Sequence, residues 1–353
     1  MKNKTIILDC TLRDGSYVNA FQFSKKQTYD ICKKLELSGV EMIEVGHGMG
    51  LGASRINKFK AKESDYDYGN FTNKALKKSK WGMFCIPGIA NLDDVKLLKD
   101  MGANFIRIGS NVENYKLTEP FIKLAKKLKM KVCSNFMKSY VLSPKDFSKI
   151  ANIAHNMGSD ITYIVDSAGG MIASELQNYF VEIKNINKDI KVGFHGHNNL
   201  GFANSNAYEA IKLNFDIVDA SIQGFGRSAG NTVLELLVCA LKKNKIECKI
   251  DHIKILDLSE EILQNFVKSK GIKSIDAVCG MSLFHSSYLP IIEKYSKKYK
   301  VDPRLLVYEV SKIEKSDATE KLVKAVTIKL KKNKKSGGWK KIYNHFYINE
   351  QSL

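Results

Sequence analysis

The pattern that decides the fold starts from the stretch Phe194-His195-Gly196-His197-Asn198-Asn199, which follows a short β-rich run. Side chains alternate faces along a strand, so His195 and His197 point the same way, with their α-carbons about 6.5 Å apart. Two imidazoles at that separation can share one metal ion. A hydrogen-bonded histidine pair at a strand end has the same sequence, so this stretch alone leaves both interpretations open.

Outward from this stretch, short β-rich runs alternate with helical patterns. The predicted strands cover residues 5–9, 42–45, 81–86, 104–108, 131–135, 160–165, 191–195 and 217–221. Eight strand–helix units within about 245 residues match an α/β fold of the (β/α)8 TIM-barrel type in number and in length. An open doubly wound sheet is the alternative, but it does not require eight units, and no Gly-x-Gly-x-x-Gly pattern follows the first strand.

A different pattern begins at about Lys249 and continues to the end of the sequence. It predicts helices over residues 257–269, 289–300, 302–313 and 319–331, and a loop over residues 333–338. We therefore expect a TIM-barrel catalytic domain over residues 1–248 and a small, mainly helical domain with a basic tail over residues 249–353.

The composition argues against several classes of protein. Hydrophobic residues make up 44% of the 353 positions, and no apolar run approaches the ~20 residues that a membrane helix needs. Charged residues follow the N-terminus too closely for a signal peptide, so we expect a cytoplasmic protein. The seven cysteines include no Cys-x-x-Cys pair and are expected to be reduced and mostly buried.

The net charge of +19 raises the question of a nucleic-acid partner. Only five of the 56 basic residues are arginines, whereas nucleic-acid sites use arginine for bidentate contacts. The lysines are spread over predicted helix faces. We therefore expect a solvated lysine surface rather than a nucleic-acid site.

Polar side chains cluster at the predicted strand ends, where the active sites of such barrels form. Asp14 follows the first strand, His195 and His197 end the seventh, and Asn231 follows the eighth. These three strands are neighbours once a barrel closes, so the four side chains can converge on one catalytic divalent metal. Singly, Asp14 also fits a turn residue and Asn231 a helix cap, but their common position favours the metal site.

Arg13 directly precedes Asp14 and would place a fixed guanidinium group at the edge of a metal bound there. A 2-oxo acid chelates a metal through its carboxylate and keto oxygens. Carbon–carbon cleavage then gives an enolate, which both the metal and Arg13 can stabilise. Arg107 ends the fourth predicted strand and Arg227 lies in a glycine-rich loop, which fits an anionic substrate, although Arg107 also fits a surface ion pair.

Five motifs occur in order along the barrel sequence: residues 8–15 (LDCTLRDG), 44–52 (EVGHGMGLG), 165–169 (VDSAG), 195–201 (HGHNNLG) and 224–231 (GFGRSAGN). Together they resemble the 4-hydroxy-2-oxovalerate aldolase family, pyruvate-forming class II aldolases related to 3-hydroxy-3-methylglutaryl-CoA lyase and 2-isopropylmalate synthase. The resemblance implies a metal-dependent cleavage of a 4-hydroxy-2-oxo acid to pyruvate and an aldehyde.

The resemblance also implies roles for individual residues and for partners. Asp14, His195 and His197 match the metal ligands, and Asn231 matches a ligand of the lyase branch. Mn²⁺ is the family's usual ion, with Mg²⁺, Co²⁺ or Zn²⁺ as alternatives. Arg13 matches the residue that stabilises the enolate, and Ser167 lies where the family contacts the substrate carboxylate. The helical domain implies an acylating aldehyde dehydrogenase partner or a homo-oligomer.

One departure from the family pattern concerns the general base. The family usually has Arg-Asp-Gly-x-His, whereas this chain has Tyr17 at the histidine position. The family also has a tyrosine before a Ser-Ser pair in the helical domain, and this chain has His285 there. We therefore predict His285 as the base, with Tyr17 orienting it or the substrate, and His47 as the second candidate.

Three other functions compete with the aldolase. An acyl-CoA condensing enzyme of the isopropylmalate or homocitrate synthase type tends to have a glutamate in the glycine-rich loop, where this chain has Arg227. A basic anion-binding protein on an inactive barrel would not need Asp14, His195 and His197. A Schiff-base aldolase would need an isolated lysine inside a strand, and no predicted strand provides one.

Overall fold

The computed structural model describes residues 5–55, 60–227, 229–266, 274–275, 278, 282, 284, 288–314 and 318–332. The chain divides into two compact units, Met1–Leu237 and Val238–Leu353. The predicted domain boundary after residue 248 stays a prediction. Across the described ranges, every helix is too short or too polar to traverse a lipid bilayer.

The first unit is built on eight parallel strands that close into a barrel in sequence order. The strands are β1 Ile6–Leu12, β2 Met42–Val45, β3 Lys80–Cys85, β4 Phe105–Asn111, β5 Lys131–Met137, β6 Ile161–Asp166, β7 Val192–Gly196 and β8 Ile217–Ala220. Pairing of β1 with β8 closes the barrel, with Ile6 beside Ile217 and Asp9 beside Ala220. This confirms the (β/α)8 prediction.

Helices alternate with these strands and form the outer layer. They are α1 Lys25–Leu37, α2 Asp65–Ala75, α3 Leu92–Asp100, α4 Glu119–Lys127, α5 Pro144–Met157, α6 Ala173–Ile186, α7 Ala203–Lys212 and α8 Leu234–Lys243. The start of α1 is set by a capping box, in which Ser24 and Gln27 each accept the other's backbone N–H.

Helix α2 is not among the helices predicted from the sequence, because Gly69 and several weak helix formers interrupt its helical pattern of apolar residues. Packing explains the glycine. A β-carbon at position 69 would lie 2.6 Å from the sulfur of Met101 and 3.1 Å from the Trp81 ring, so a larger residue would require these packed side chains to shift. Tertiary packing thus stabilises a helix that local propensity disfavours.

The barrel interior changes character along the strands. Its lower part is apolar and includes Leu8, Met42, Phe105, Ile161 and Ile217, all buried. Two residues further along three of these strands, at the next inward-facing position, stand charged side chains: Glu44, Arg107 and Asp219. All three are buried. The interior therefore passes from a packed apolar core to an ionic layer toward the carboxyl ends of the strands.

The secondary-structure elements described in the second unit are all helices, in agreement with the predicted helical domain. Beyond α8 its helices are α9 His252–Phe266, α10 Leu289–Tyr299, α11 Pro303–Ser311 and α12 Glu320–Lys332. Arg304 is buried and ion-paired with Asp257 and Asp302. Cys279 and the predicted loop over residues 333–338 lie outside the described residues. The six described cysteines form no disulfide with one another, and five of them are buried, as predicted.

One buried acidic side chain in the wall of the barrel, Asp9, has no ion-pair partner among the described residues. Asp9 is fully buried on β1, and its carboxyl group accepts hydrogen bonds from the backbone and hydroxyl of Thr11 at 3.0 and 2.7 Å. Burial raises the pKa of Asp9 to about 7, although these hydrogen bonds oppose the rise. The folded protein therefore keeps this proton up to about pH 7, whereas the unfolded chain releases it near pH 3.8.

We predict that Asp9 makes the protein less stable as the pH rises from about 4 to 7, because the buried group resists ionisation. Asp9→Asn should remove this term. Between pH 5 and pH 8 the variant should gain about 2–3 kcal/mol in free energy of unfolding relative to the parent. Urea unfolding at several pH values measures the difference. The exposed Asp30→Asn change is the control, and a pH-independent difference for Asp9→Asn would contradict the assignment.

Candidate metal centre and active site

Three side chains that were predicted as metal ligands meet at the carboxyl end of the barrel. Asp14 begins a short 3₁₀ helix, Asp14–Asn19, directly after β1, while His195 and His197 lie at the end of β7. One potential ligand atom of each residue lies within 4.8 Å of those of the other two, and all three residues are buried. The two imidazole rings are perpendicular, with centroids 5.2 Å apart.

Both histidines use the same ring nitrogen for protein contacts. His195 Nδ1 lies 2.7 Å from the Asp219 carboxylate, and His197 Nδ1 lies 3.2 Å from the carbonyl oxygen of Gly230. Both partners can only accept, so Nδ1 of each ring carries a proton, which leaves Nε2 as the nitrogen that can ligate a metal. Burial and the neighbouring His195 lower the pKa of His197 to about 4, which keeps its ring neutral near pH 7.

The carboxylate of the triad is held ionised. Burial opposes the ionisation of Asp14, but the charge of Arg13 and the two nearby imidazoles hold the pKa of this carboxyl well below its ordinary value. One carboxylate and two imidazoles form a donor set that suits a catalytic divalent cation. The residues present therefore fit the metal that the sequence predicts.

Asn231 is brought to the same centre but contacts it through its amide nitrogen. Nδ2 donates to Asp14 at 2.8 Å and to the carbonyl oxygen of Phe225 at 3.0 Å. Its Oδ1 is buried and has no hydrogen-bond partner among the described residues. Such an orphaned oxygen is satisfied by an ion or a water. Asn231 thus orients Asp14, and its role as a metal ligand stays a prediction.

Arg13 is fixed beside the triad from three directions. Its Nε donates to Glu44 at 2.6 Å, and its Nη1 donates to Asp14 at 2.7 Å. Its guanidinium carbon lies 4.7 Å from the centroid of the Phe84 ring. The remaining nitrogen, Nη2, has no acceptor within the part of the chain that the structure describes. Arg13 therefore presents a fixed guanidinium group beside Asp14, and its role at a metal stays a prediction.

Arg107 is not a surface residue, so its interpretation as a surface ion pair is wrong. Strand β4 continues to Asn111, and this places Arg107 inside the barrel with 0% of its surface exposed. Its Nη1 donates to Glu44 at 2.8 Å, and its Nη2 donates to Asp219. The guanidinium also lies over the ring of Tyr163, 4.5 Å from the centroid.

These contacts form a chain whose two ends, Asp14 and His195, meet in the triad with potential ligand atoms within 4.8 Å of each other; we call it the buried charge ring. Its six members contact each other in the order Asp14, Arg13, Glu44, Arg107, Asp219 and His195. Asp219 is not predicted as a site residue from the sequence. The feature that could have indicated it is an aspartate at an inward-facing position, two residues after Ile217, in a strand that is otherwise apolar.

A cavity of about 310 Å³ opens above the triad, and Arg13, Asp14, His195 and His197 line it. Ser167 also lines the cavity, and its role in substrate binding stays a prediction. Ser167 Oγ accepts a hydrogen bond from the backbone N–H of Lys138 at 2.9 Å, so its hydroxyl proton is available to a ligand. The other polar groups are Asn111, Asn135, Lys138 and Arg227, and the apolar groups include Met49, Phe84, Ile86 and Met137.

Of the three predicted acid–base residues, the structure describes two, Tyr17 and His47. Tyr17 lines the cavity, and its ring meets Phe21 edge-on at 4.9 Å. His47 is buried behind it, stacked on Phe21 at 4.0 Å, with Nδ1 accepting from the backbone of Met49. His47 is not among the described residues that line the cavity. His285 and its neighbours Ser286 and Ser287 lie outside the described residues.

Comparison with known proteins gives relatives over most of the chain. The HMGL-like family matches residues 4–262. A 4-hydroxy-2-oxovalerate aldolase of Carboxydothermus hydrogenoformans is 32% identical over 336 residues, covering 95% of this chain and all of that protein. A second, from Geobacillus genomosp. 3, is 33% identical over 307 residues, covering 87% and 91%.

Solved structures support the fold. A hydroxymethylglutaryl-CoA lyase of Pseudomonas aeruginosa matches with a TM-score of 0.68 at 15% identity, over 79% of this chain and 99% of that one. At this identity the likeness shows the fold alone. The aldolase relatives confirm the predicted enzyme class and disfavour the acyl-CoA condensing alternative. The chain belongs to the HMGL-like family and, within it, to the 4-hydroxy-2-oxovalerate aldolases.

Proposed function

We propose that this protein is a divalent-metal-dependent aldolase that cleaves a 4-hydroxy-2-oxo acid to pyruvate and an aldehyde, or catalyses the reverse addition. The observation that carries the proposal is the triad Asp14, His195 and His197, buried at the barrel mouth beside an anchored Arg13. The family membership and the names of the relatives point to the same chemistry. Mn²⁺ is the proposed ion, on the basis of the motifs.

The residues divide the work at the substrate. Asp14, His195 and His197 would hold the metal, which supplies Lewis acidity toward the 2-oxo group when it is bound. Arg13 Nη2 donates to the keto oxygen, where negative charge develops as the carbon–carbon bond breaks. The Ser167 hydroxyl donates to the substrate carboxylate. The Lys138 ammonium, which lines the same cavity, balances that charge.

Cleavage also needs a base that removes the proton from the C4 hydroxyl. Tyr17 is a poor base near neutral pH, because burial and the charge of Asp14 raise its pKa above the ordinary value of 10.0. We therefore keep His285 as the proposed base, on the strength of its position in the family motif. Tyr17 orients the hydroxyl from the cavity wall.

Partners other than the substrate are proposed on the resemblance alone. Residues 249–353 are the candidate docking region for an acylating aldehyde dehydrogenase or for a second copy of the chain. A cytoplasmic location and a lysine surface without a nucleic-acid partner stay part of the proposal.

Metal binding is the first test. Protein that has been treated with chelator should bind one Mn²⁺ per chain in calorimetry, and His195→Ala should weaken the affinity by at least about 100-fold because an inner ligand is lost. His155→Ala on helix α5 is the control and should bind as the parent does. Parent affinity in His195→Ala would contradict the metal centre.

Pyruvate release is the second test. A lactate-dehydrogenase-coupled assay over a panel of 4-hydroxy-2-oxo acids, with and without Mn²⁺, should detect metal-dependent cleavage. Arg13→Lys should lower kcat by about 10²–10³, because a point charge cannot hold Glu44, Asp14 and the developing oxyanion at once. The control is Arg55→Lys. Arg55 forms an ion pair with Asp94, and 54% of the Arg55 side chain is exposed. Near-parent kcat in Arg13→Lys would refute the role.

The base is tested by the pH dependence of kcat. His285→Ala should lower kcat by about 10²–10⁴ and remove the acid limb of the profile, because the proton acceptor is lost. Tyr17→Phe should cost less, since it removes only an orienting hydroxyl. An unchanged profile in His285→Ala, combined with a lost acid limb in His47→Ala, would transfer the role to His47.

A further inference from the structure

Three members of the buried charge ring do not line the cavity: Glu44, Arg107 and Asp219. They lie on three different strands and are all fully or almost fully buried. We propose that Arg107 is a positioning residue that acts through Asp219 on the metal centre and through Glu44 on Arg13. This inference rests on the proposed function of the triad as a metal centre.

The first arm of the ring reaches a metal ligand. Asp219 Oδ2 accepts from His195 Nδ1 at 2.7 Å and from Arg107 Nη2. A carboxylate in this position fixes both the tautomer and the rotation of a ligating imidazole. Asp219 Oδ1 has no hydrogen-bond partner among the described residues, so a single oxygen carries both contacts. The position of His195 therefore depends on where Arg107 holds this carboxylate.

The second arm reaches the enolate-stabilising arginine. Glu44 Oε2 accepts from Arg13 Nε at 2.6 Å and from Arg107 Nη1 at 2.8 Å, while Oε1 has no partner within the described ranges. The other anchor of Arg13 is Asp14, which is itself a member of the triad. The orientation of Arg13 is thus determined by the metal centre on one side and by Arg107 on the other.

Arg107 can act as a fixed reference because its own position is fully determined. Its Nε lies 3.3 Å from Asn135 Oδ1, its other two nitrogens hold the two carboxylates, and its plane lies over Tyr163. The ring contains two guanidinium groups and three carboxylates. Removing the charge of Arg107 would leave a buried excess of negative charge between the remaining groups, and a lysine cannot hold both carboxylates in the same plane.

The competing explanation is that Arg107 only stabilises the barrel. Two measurements distinguish a stabilising role of Arg107 from a positioning role. One is the Mn²⁺ dissociation constant of protein prepared without metal, determined by calorimetry without substrate. The other is kcat at saturating Mn²⁺. The informative variants are Arg107→Lys, Asp219→Asn and Glu44→Gln. The control is Ser134→Ala on β5, an equally buried hydroxyl outside the ring with no hydrogen-bond partner among the described residues.

Positioning predicts a different result for each arm. Asp219→Asn should weaken Mn²⁺ binding by about 10–100-fold. Glu44→Gln should lower kcat at saturating Mn²⁺ by at least about 10-fold while changing the dissociation constant less than Asp219→Asn does. Arg107→Lys should show both effects. Its effect on Mn²⁺ affinity should be smaller when Asp219→Asn is already present, because both changes act through one carboxylate.

The inference is overturned if Arg107→Lys and Asp219→Asn fold, as judged by circular dichroism, and match the parent in both measurements. If Arg107→Lys does not fold, Asp219→Asn and Glu44→Gln decide by the same criteria. A parent protein that binds no Mn²⁺ or releases no pyruvate from any substrate would instead refute the proposed function, so the two failures are distinguishable.

Discussion

The arrangement at the barrel mouth depends on one guanidinium group that water does not reach. A charge buried without a partner costs several kcal/mol, so buried carboxylates persist only where a cation lies against them. Arg107 fulfils this condition for Glu44 and for Asp219 at the same time. Those two carboxylates in turn hold Arg13 and His195. The reactive groups are therefore placed by a residue that does not line the cavity.

Strand register is what assembles these charges. Met42, Phe105 and Ile217 form part of the apolar core, and the ionic residues stand two positions later on the same inward face. A one-residue slip of any of these strands would turn the ionic residue toward the helices and an outward residue into the site. Closure of β1 against β8 then brings Asp14 and Arg13 to the same end of the barrel as Asp219.

Local patterns in the sequence were sufficient for the barrel and for the centre of the site. The eight strand–helix units, the His195–His197 spacing and the position of Asp14 after the first strand all follow from periodicity and strand-end logic. Arg107 and Asp219 could not be assigned this way, because their contact joins positions 112 residues apart and exists only in the folded register. The length of β4 and the packing of Gly69 on Met101 are likewise tertiary effects.

The buried charge ring also constrains how this protein can diverge. Its six side chains come from five separate segments of the barrel sequence, since only Arg13 and Asp14 are adjacent, yet each contacts two others or belongs to the triad. Substitution of one member leaves a neighbouring charge buried without a partner, so a single substitution lowers stability even where the catalytic groups are unchanged. We therefore expect the six positions to be retained together or replaced together among related sequences, while the surface lysines vary independently.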